Sequence, residues 1–189
     1  MKALVINLHD RTDRWEVVEP HLNENGFNVQ RYIGQRMATG HQGCSASHLG
    51  AIACAGEPPF IIFEDDAEII GDVSIIEKAI SELGSFDLLY LGCSPQHKMT
   101  PNTEHTLRLG RAYQTHAIIY GSNRVVDYIL LNRHKVRKID VFLSEEVIPE
   151  FDCYTTNPMI CKQADSFSDI TKVVINHDGI IDQFNSMIE

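Results

Sequence analysis

Four apolar residues, Phe60-Ile61-Ile62-Phe63, run directly into three carboxylates, Glu64-Asp65-Asp66, and this junction constrains the chain more than any other segment. A short apolar run bounded by Pro58-Pro59 reads as a buried strand. The carboxylates then mark the point where that strand leaves the sheet. In open α/β sheets the carboxyl ends of the strands are where ligands bind. Three adjacent negative charges raise one another's proton affinity, so such a strand end calls for a counter-charge. Hard divalent ions such as Mg²⁺ and Mn²⁺ take carboxylate oxygens and would supply it. A solvated acidic turn is the simpler alternative.

At 189 residues, with 43% apolar and 22% charged side chains, the chain is expected to form one domain over residues 1–189. A net charge of −10 argues against a nucleic-acid binder, which would need a basic face. No apolar run approaches membrane-spanning length, and Met1 to Asn7 reads as a first strand rather than a leader peptide. A cytoplasmic location is the expectation. The odd number of cysteines (Cys44, Cys54, Cys93, Cys153, Cys161), without tight spacing, fits reduced thiols better than a disulfide framework.

Strand and helix signals alternate along the chain. Residues 3–8 read as a strand, and a helix from Thr12 or Asp13 follows, with Asp13 and Glu16 at capping-box spacing. Trp15, Val18 and Leu22 share one face of it, Pro20 predicts a kink or a shortened helix, and Gly26 stops it. Residues 27–33 form a weaker strand, and the glycine-bearing segment 34–43 reads as a loop. Ser45 or Ser47 caps a helix through Ala55. Beyond the acidic triplet, helical spacing at Ile76, Ala79, Ile80 and Leu83 ends at Gly84, and residues 87–91 form a strand. A loop is expected over 93–106, strands near 107–112 and 116–120, and a helix capped by Ser122. The basic cluster Arg133, His134, Lys135, Arg137 and Lys138 suits that helix's C-terminal dipole. The pattern is irregular after Asp140, with one more strand at 173–175. This alternation predicts a single α/β domain with a mostly parallel central sheet and flanking helices.

Several segments, taken in order, resemble the family 25 glycosyltransferases, which include lipooligosaccharide and collagen galactosyltransferases. Val5-Ile6-Asn7-Leu8 with Arg11, Asp13 and Arg14 resembles the family's opening strand and "R-x-x-R" turn. Gly43-Cys44-Ser45-Ala46-Ser47-His48 is similar to its "G-C-x-x-S-H" segment, and Glu64-Asp65-Asp66 to its "E-D-D" motif. Thr115-His116-Ala117-Ile118-Ile119-Tyr120 resembles its "H-A-Y" strand. Ile139-Asp140, Pro158-Met159-Ile160 with Gln163, and Ser168-Asp169-Ile170 resemble its late elements. The segment Tyr32 to Arg36 departs from the family's "F-x-A" pattern.

The resemblance implies a GT-A type, Rossmann-like nucleotide-sugar fold. The implied activity is inverting, metal-dependent transfer of a hexose (galactose or glucose) from a UDP-sugar to a glycan or glycolipid acceptor, as in lipopolysaccharide biosynthesis. The implied cofactor is Mn²⁺ or Mg²⁺, held by Asp66, Glu64 and Asp169, with His177 as a weaker candidate. Side chains two apart on an extended segment point the same way, so Glu64 and Asp66 can converge on one ion or on the donor ribose while Asp65 points to a structural partner. A sharp turn after Phe63 would make Asp65 a ligand instead, and it is also counted in the donor-binding set. Asn7, Arg11 and Arg14 would meet the nucleotide, an arginine fork suiting phosphate oxygens. Gly43 would allow close backbone approach to a ligand, with Ser47 and His48 hydrogen-bonding the donor. Glu64 and Asp140 form the catalytic set, Asp140 as the base that takes the acceptor's proton, with Glu145 and Glu146 as alternates. His116 either lines the site or caps its strand.

Three other readings compete. The chain could be a relic that binds a nucleotide sugar without turning it over. A Mg²⁺-dependent phosphatase or nuclease could use the acidic cluster, but no nucleophile motif adjoins it. A zinc-stabilised interaction module could use the equally spaced pairs Cys44/His48 and Cys93/His97.

Overall fold

The computed structural model describes residues 1–167, 174–175 and 179–189. The amino-terminal half runs β1 (Lys2–Leu8), α1 (Thr12–Glu24), β2 (Val29–Gly34), α2 (Gly40–Ala55), β3 (Phe60–Glu64), β4 (Ala67–Ile69), α3 (Ser74–Leu83) and β5 (Leu88–Tyr90). Short strands follow: β6 (Ser94–Pro95), β7 (Thr100–Pro101), β8 (Thr106–Arg108), β9 (Ala112–Tyr113) and β10 (Ala117–Tyr120). The chain then forms α4 (Asn123–Leu131), α5 (Ile139–Phe142), β11 (Cys153–Thr156), β12 (Cys161–Gln163), β13 (Ser166–Phe167), β14 (Val174–Ile175) and α6 (Ile180–Ser186).

Eight strands make one sheet in the order β2-β1-β3-β10-β5-β11-β8-β7. Strands β1, β2 and β3 pair in parallel, as do β5 and β11, while β10 and β8 run against their neighbours. Six of the eight strands therefore point one way, and the molecule is an α/β domain with a mostly parallel central sheet flanked by helices.

Alternation along the strands sends side chains to opposite faces, and both faces are covered. Leu4, Phe60, Ile62, Leu88, Tyr90, Ile118 and Tyr120 face one core with Ala51 and Ile52 of α2, Val125 and Ile129 of α4, and Phe184 of α6. Val5, Ile61, Phe63, Leu89, Ala117 and Ile119 face the other with Val18 and Leu22 of α1 and Ile76 and Ala79 of α3. Every apolar residue of β3 is fully buried, which is why its sequence shows a continuous apolar run instead of alternation.

Several local expectations are corrected. Asp13 does not cap α1; it lies in the first turn and pairs with Arg11, and the helix continues past Pro20 to Glu24. Helix α2 starts at Gly40, earlier than Ser45, because Thr39 and Gln42 form a reciprocal capping box that satisfies two otherwise orphaned backbone donors. Residues 93–106 contain strands β6 and β7 instead of being all loop. The basic cluster lies beyond α4, Arg133–Lys135 forming a 3-10 turn of their own. Past Asp140 the chain is regular where an irregular pattern was expected: β11 sits between β5 and β8, and α6 buries Phe184. All five cysteines are free. Among the described residues, no helix is long and apolar enough to cross a membrane.

Candidate functional site at the carboxyl ends of β1 and β3

The chain passes from β1 to β2 on one side and then crosses to β3 on the other, so the strand order reverses between β1 and β3. A crevice opens outside the carboxyl ends of strands at such a reversal. Asn7 near the end of β1 and the triplet at the end of β3 sit there.

The triplet divides its side chains between two helices. Glu64 shares the face of Phe60 and Ile62 and turns toward α2, where Oε1 lies 3.2 Å from His48 Nε2. Thr115, just before β10, donates its hydroxyl to the same oxygen at 2.6 Å. Asp65 turns toward α1. Its Oδ1 accepts from Arg14 at 2.5 Å and its Oδ2 from Asn7 Nδ2 at 2.6 Å. The turn after β3 brings Asp66 Oδ2 within 3.6 Å of Arg14, while Gln163 Nε2 approaches Oδ1 at 3.5 Å. Two-residue alternation therefore ends at Glu64. Among the described residues, Glu64 clusters with Cys44 and His48, and that cluster does not include Asp66.

This division separates the carboxyls electrostatically. Burial opposes ionisation of Glu64, but hydrogen bonds from His48 and Thr115 and the His48 charge outweigh it and hold the carboxyl down at about 2. Burial and the charges of Glu64 and Asp65 push Asp66 the other way, up to about 7, with Arg14 and Gln163 compensating only in part. Asp65 is also raised, by burial, against the pull of Arg14 and Asn7. The side chain of Asp66 is 16% exposed.

The residues expected to bind the donor make contacts with the protein itself in this structure. Asn7 is 1% exposed, and its amide donates to Arg11 O at 3.0 Å and to Asp65, while its oxygen accepts from Arg31 Nε at 2.8 Å and from a second guanidinium nitrogen. Arg11 forks onto Asp13 through contacts of 2.9 Å. Arg14 clamps the acidic pair. Gly43 lies inside α2, where a Cβ would stand 2.5 Å from Gln35 O, so the close approach it permits is to the protein's own backbone. Ser47 is 2% exposed; its hydroxyl donates to Gly43 O at 2.7 Å and accepts from Gln35 N at 2.8 Å.

His48 and Glu64 are brought together. Asp140 in α5 is partly buried and accepts from its neighbour Val141 N at 2.8 Å, and its charge reaches Cys44. Glu145 and Glu146 are exposed and line a separate groove of about 550 Å³ with Arg124, Tyr128, Glu150 and Phe151. His116 Nε2 donates to Cys161 O at 3.1 Å, tying the start of β10 to β12. Cys93 is buried and His97 exposed in a non-helical segment, so they do not complete a tetrahedron with Cys44 and His48. Asp169 and His177 lie outside the described residues.

Two contributors were missed at the level of sequence. Arg31 is a lone charge in an expected strand, which is a signal for an internal partner. Thr115 heads the segment resembling the family's "H-A-Y" strand, but its role is not legible there, because its meeting with Glu64 depends on antiparallel pairing of β10 with β3.

No protein-family model matches the chain, and no curated protein is similar to it in sequence. Among solved structures, A197 from STIV is similar with a TM-score of 0.52 at 10% identity, over 94% of this chain and 100% of that one. A glycosyltransferase involved in glycosylation of the major capsid of PBCV-1 gives a TM-score of 0.47 at 9% identity, over 82% of this chain and 80% of that one. An apo UDP-glucose pyrophosphorylase gives 0.49 at 10% identity, over 98% and 80%. At these identities the likeness concerns the fold alone.

Proposed function

We propose that the chain is a GT-A type, metal-dependent glycosyltransferase that moves a hexose, galactose or glucose, from a UDP-sugar to a glycan or glycolipid acceptor with inversion. The observation that carries this reading is Asp66: a mostly buried carboxyl beside two others, at the strand-order reversal, with a proton affinity raised to about 7. A group in that state gains most from a divalent cation, whose charge replaces the missing counter-charge. The order of motifs along the chain supports the same reading.

Asp66 is the residue assigned to hold Mn²⁺ or Mg²⁺. Such ions are commonly bound by one or two carboxylates together with substrate phosphates and water. When bound, the ion would neutralise charge on the departing diphosphate. Glu64, ionised and held by His48 and Thr115, adds negative potential beside it. The Asn7–Asp65–Arg14 lock keeps the ends of β1 and β3 and the first turn of α1 in register.

Asp140 is assigned as the base. The acceptor oxygen would bond to the anomeric carbon as the bond to the diphosphate oxygen breaks, the nucleotide leaves, and Asp140 takes the hydroxyl proton. The test is thermal unfolding with UDP and Mn²⁺, paired with an assay of sugar transfer. Wild type should be stabilised by ligand, and Asp66→Asn should lose the Mn²⁺-dependent part. Asp140→Asn should keep the stabilisation and lose transfer. A shift that persists in Asp66→Asn would remove Asp66 from the reading, and binding without transfer or donor hydrolysis would reduce the chain to a nucleotide-sugar binder.

A further inference from the structure

Cys44 and His48 stand one turn apart on α2, so both side chains face the same way. What they face is the end of β3. A thiol sulfur, an imidazole nitrogen and the Glu64 carboxylate oxygen all lie within 4.8 Å of one another. Tetrahedral zinc with bonds of about 2.0–2.3 Å sets its ligand atoms roughly 3.3–3.8 Å apart. His48 Nε2 and Glu64 Oε1, at 3.2 Å, already span one edge of that figure. The sulfur-to-nitrogen and sulfur-to-oxygen edges of that figure are about 3.5 Å, so the sulfur has to close by at most about 1.3 Å, within reach of a side-chain rotation.

The surroundings favour a cation. Burial above all, and then the nearby carboxylates of Glu64, Asp140 and Asp66, keep the Cys44 thiol neutral, and those carboxylates surround the cluster with negative potential. His48 is 1% exposed, and among the described residues its Nδ1 has no hydrogen-bond partner, so there the contact with Glu64 is the ring's one hydrogen bond. A metal between the two would take over that contact and leave the Thr115 hydrogen bond to Glu64 in place.

We propose that Cys44, His48 and Glu64 form a zinc-class metal site, separate from the hard-cation site assigned to Asp66 and not dependent on that reading. A sulfur, nitrogen and oxygen donor set is borderline-soft and selects Zn²⁺ or Co²⁺ over Mg²⁺ and Mn²⁺. Three protein ligands leave a fourth position for water or a ligand oxygen. The ion would pin α2 to the end of β3, joining by coordination two elements that otherwise meet there through the His48–Glu64 contact.

The experiment is titration of chelator-treated full chain with Co²⁺ alone, followed by displacement with Zn²⁺. One equivalent of Co²⁺ should produce a thiolate-to-metal charge-transfer band with visible absorption of a tetrahedral centre, and Zn²⁺ should abolish both. Cys44→Ser should lose the charge-transfer band, and His48→Gln should weaken Zn²⁺ binding at least about tenfold. Cys54→Ser and Asp66→Asn should keep the band, which separates this site from the one tested with UDP and Mn²⁺. Absence of the band in wild type, or its survival in Cys44→Ser, would overturn the proposal. If Cys44→Ser does not fold, X-ray absorption at the zinc edge of the wild type decides: one sulfur among the ligands supports the site, none refutes it.

Discussion

Asn7 Nδ2 donates to Asp65 Oδ2 across 2.6 Å, joining the carboxyl ends of β1 and β3 where the strand order reverses. The bond is one link in a chain that runs from Arg31 through Asn7 and Asp65 to Arg14. These contacts tie the carboxyl ends of β1 and β3 to the first turn of α1.

Breaking that chain at its far end should destabilise the fold. Arg31→Met leaves the buried Asn7 oxygen without its guanidinium donors, and we expect a loss of about 1–3 kcal/mol. Urea denaturation of the variant against wild type measures it. An unchanged midpoint would show that Asn7 finds its register without Arg31.

Asp66 gives a pH signature of definite sign. Burial and two neighbouring carboxylates raise its pKa from 3.8 to about 7 in the folded state. Between those values the folded chain binds a proton that the unfolded chain has released, so this group's contribution to stability falls as pH rises from 4 to 7. Asp66→Asn removes the penalty. Without divalent ions the variant should exceed wild type by up to about 4 kcal/mol at pH 8 and converge on it near pH 4. Urea melts across that range test this, and a variant that is less stable at pH 8 would contradict it.

Thr115→Val keeps side-chain shape but removes the hydroxyl donated to Glu64. The expected cost is about 1 kcal/mol, with the Glu64 pKa moving upward because that hydrogen bond holds it down. A carboxyl-carbon NMR titration reads the direction, and a downward movement would reject the assignment.

Gly43 separates packing from ligand contact. Gly43→Ala sets a methyl group 2.5 Å from Gln35 O, a backbone atom, and overpacking of this kind should cost about 1–3 kcal/mol. Thermal unfolding without ligand measures it. Wild-type stability together with lost nucleotide binding would return Gly43 to the ligand side.

Local signals made much of the framework legible. The buried run of β3, the amphipathic spacing of α3 and α4, the Ser122 cap and the strand before Gly92 all follow from contacts within a few residues. The true start of helix α2 is hidden in the sequence because its cap, Thr39 with Gln42, lies in a polar glycine-bearing stretch that looks like loop. Strand β11 is not legible in the sequence because Cys153–Thr156 has little pattern of its own. Its backbone is completed only by β5 and β8, sequence-distant neighbours.

The acidic triplet itself was plain in the sequence, as was its place at the end of a buried strand, since apolar burial and charge repulsion act on adjacent residues. Its division of labour was settled only in three dimensions. Glu64 turns to His48 and Thr115, Asp65 to Asn7 and Arg14, and Asp66 is left with the least compensation. The partners come from elements up to about a hundred residues away, Gln163 on Asp66 among them. Side-chain period dictates which way a residue points, but only the packing of α1, α2 and β10 around the sheet decides what it meets.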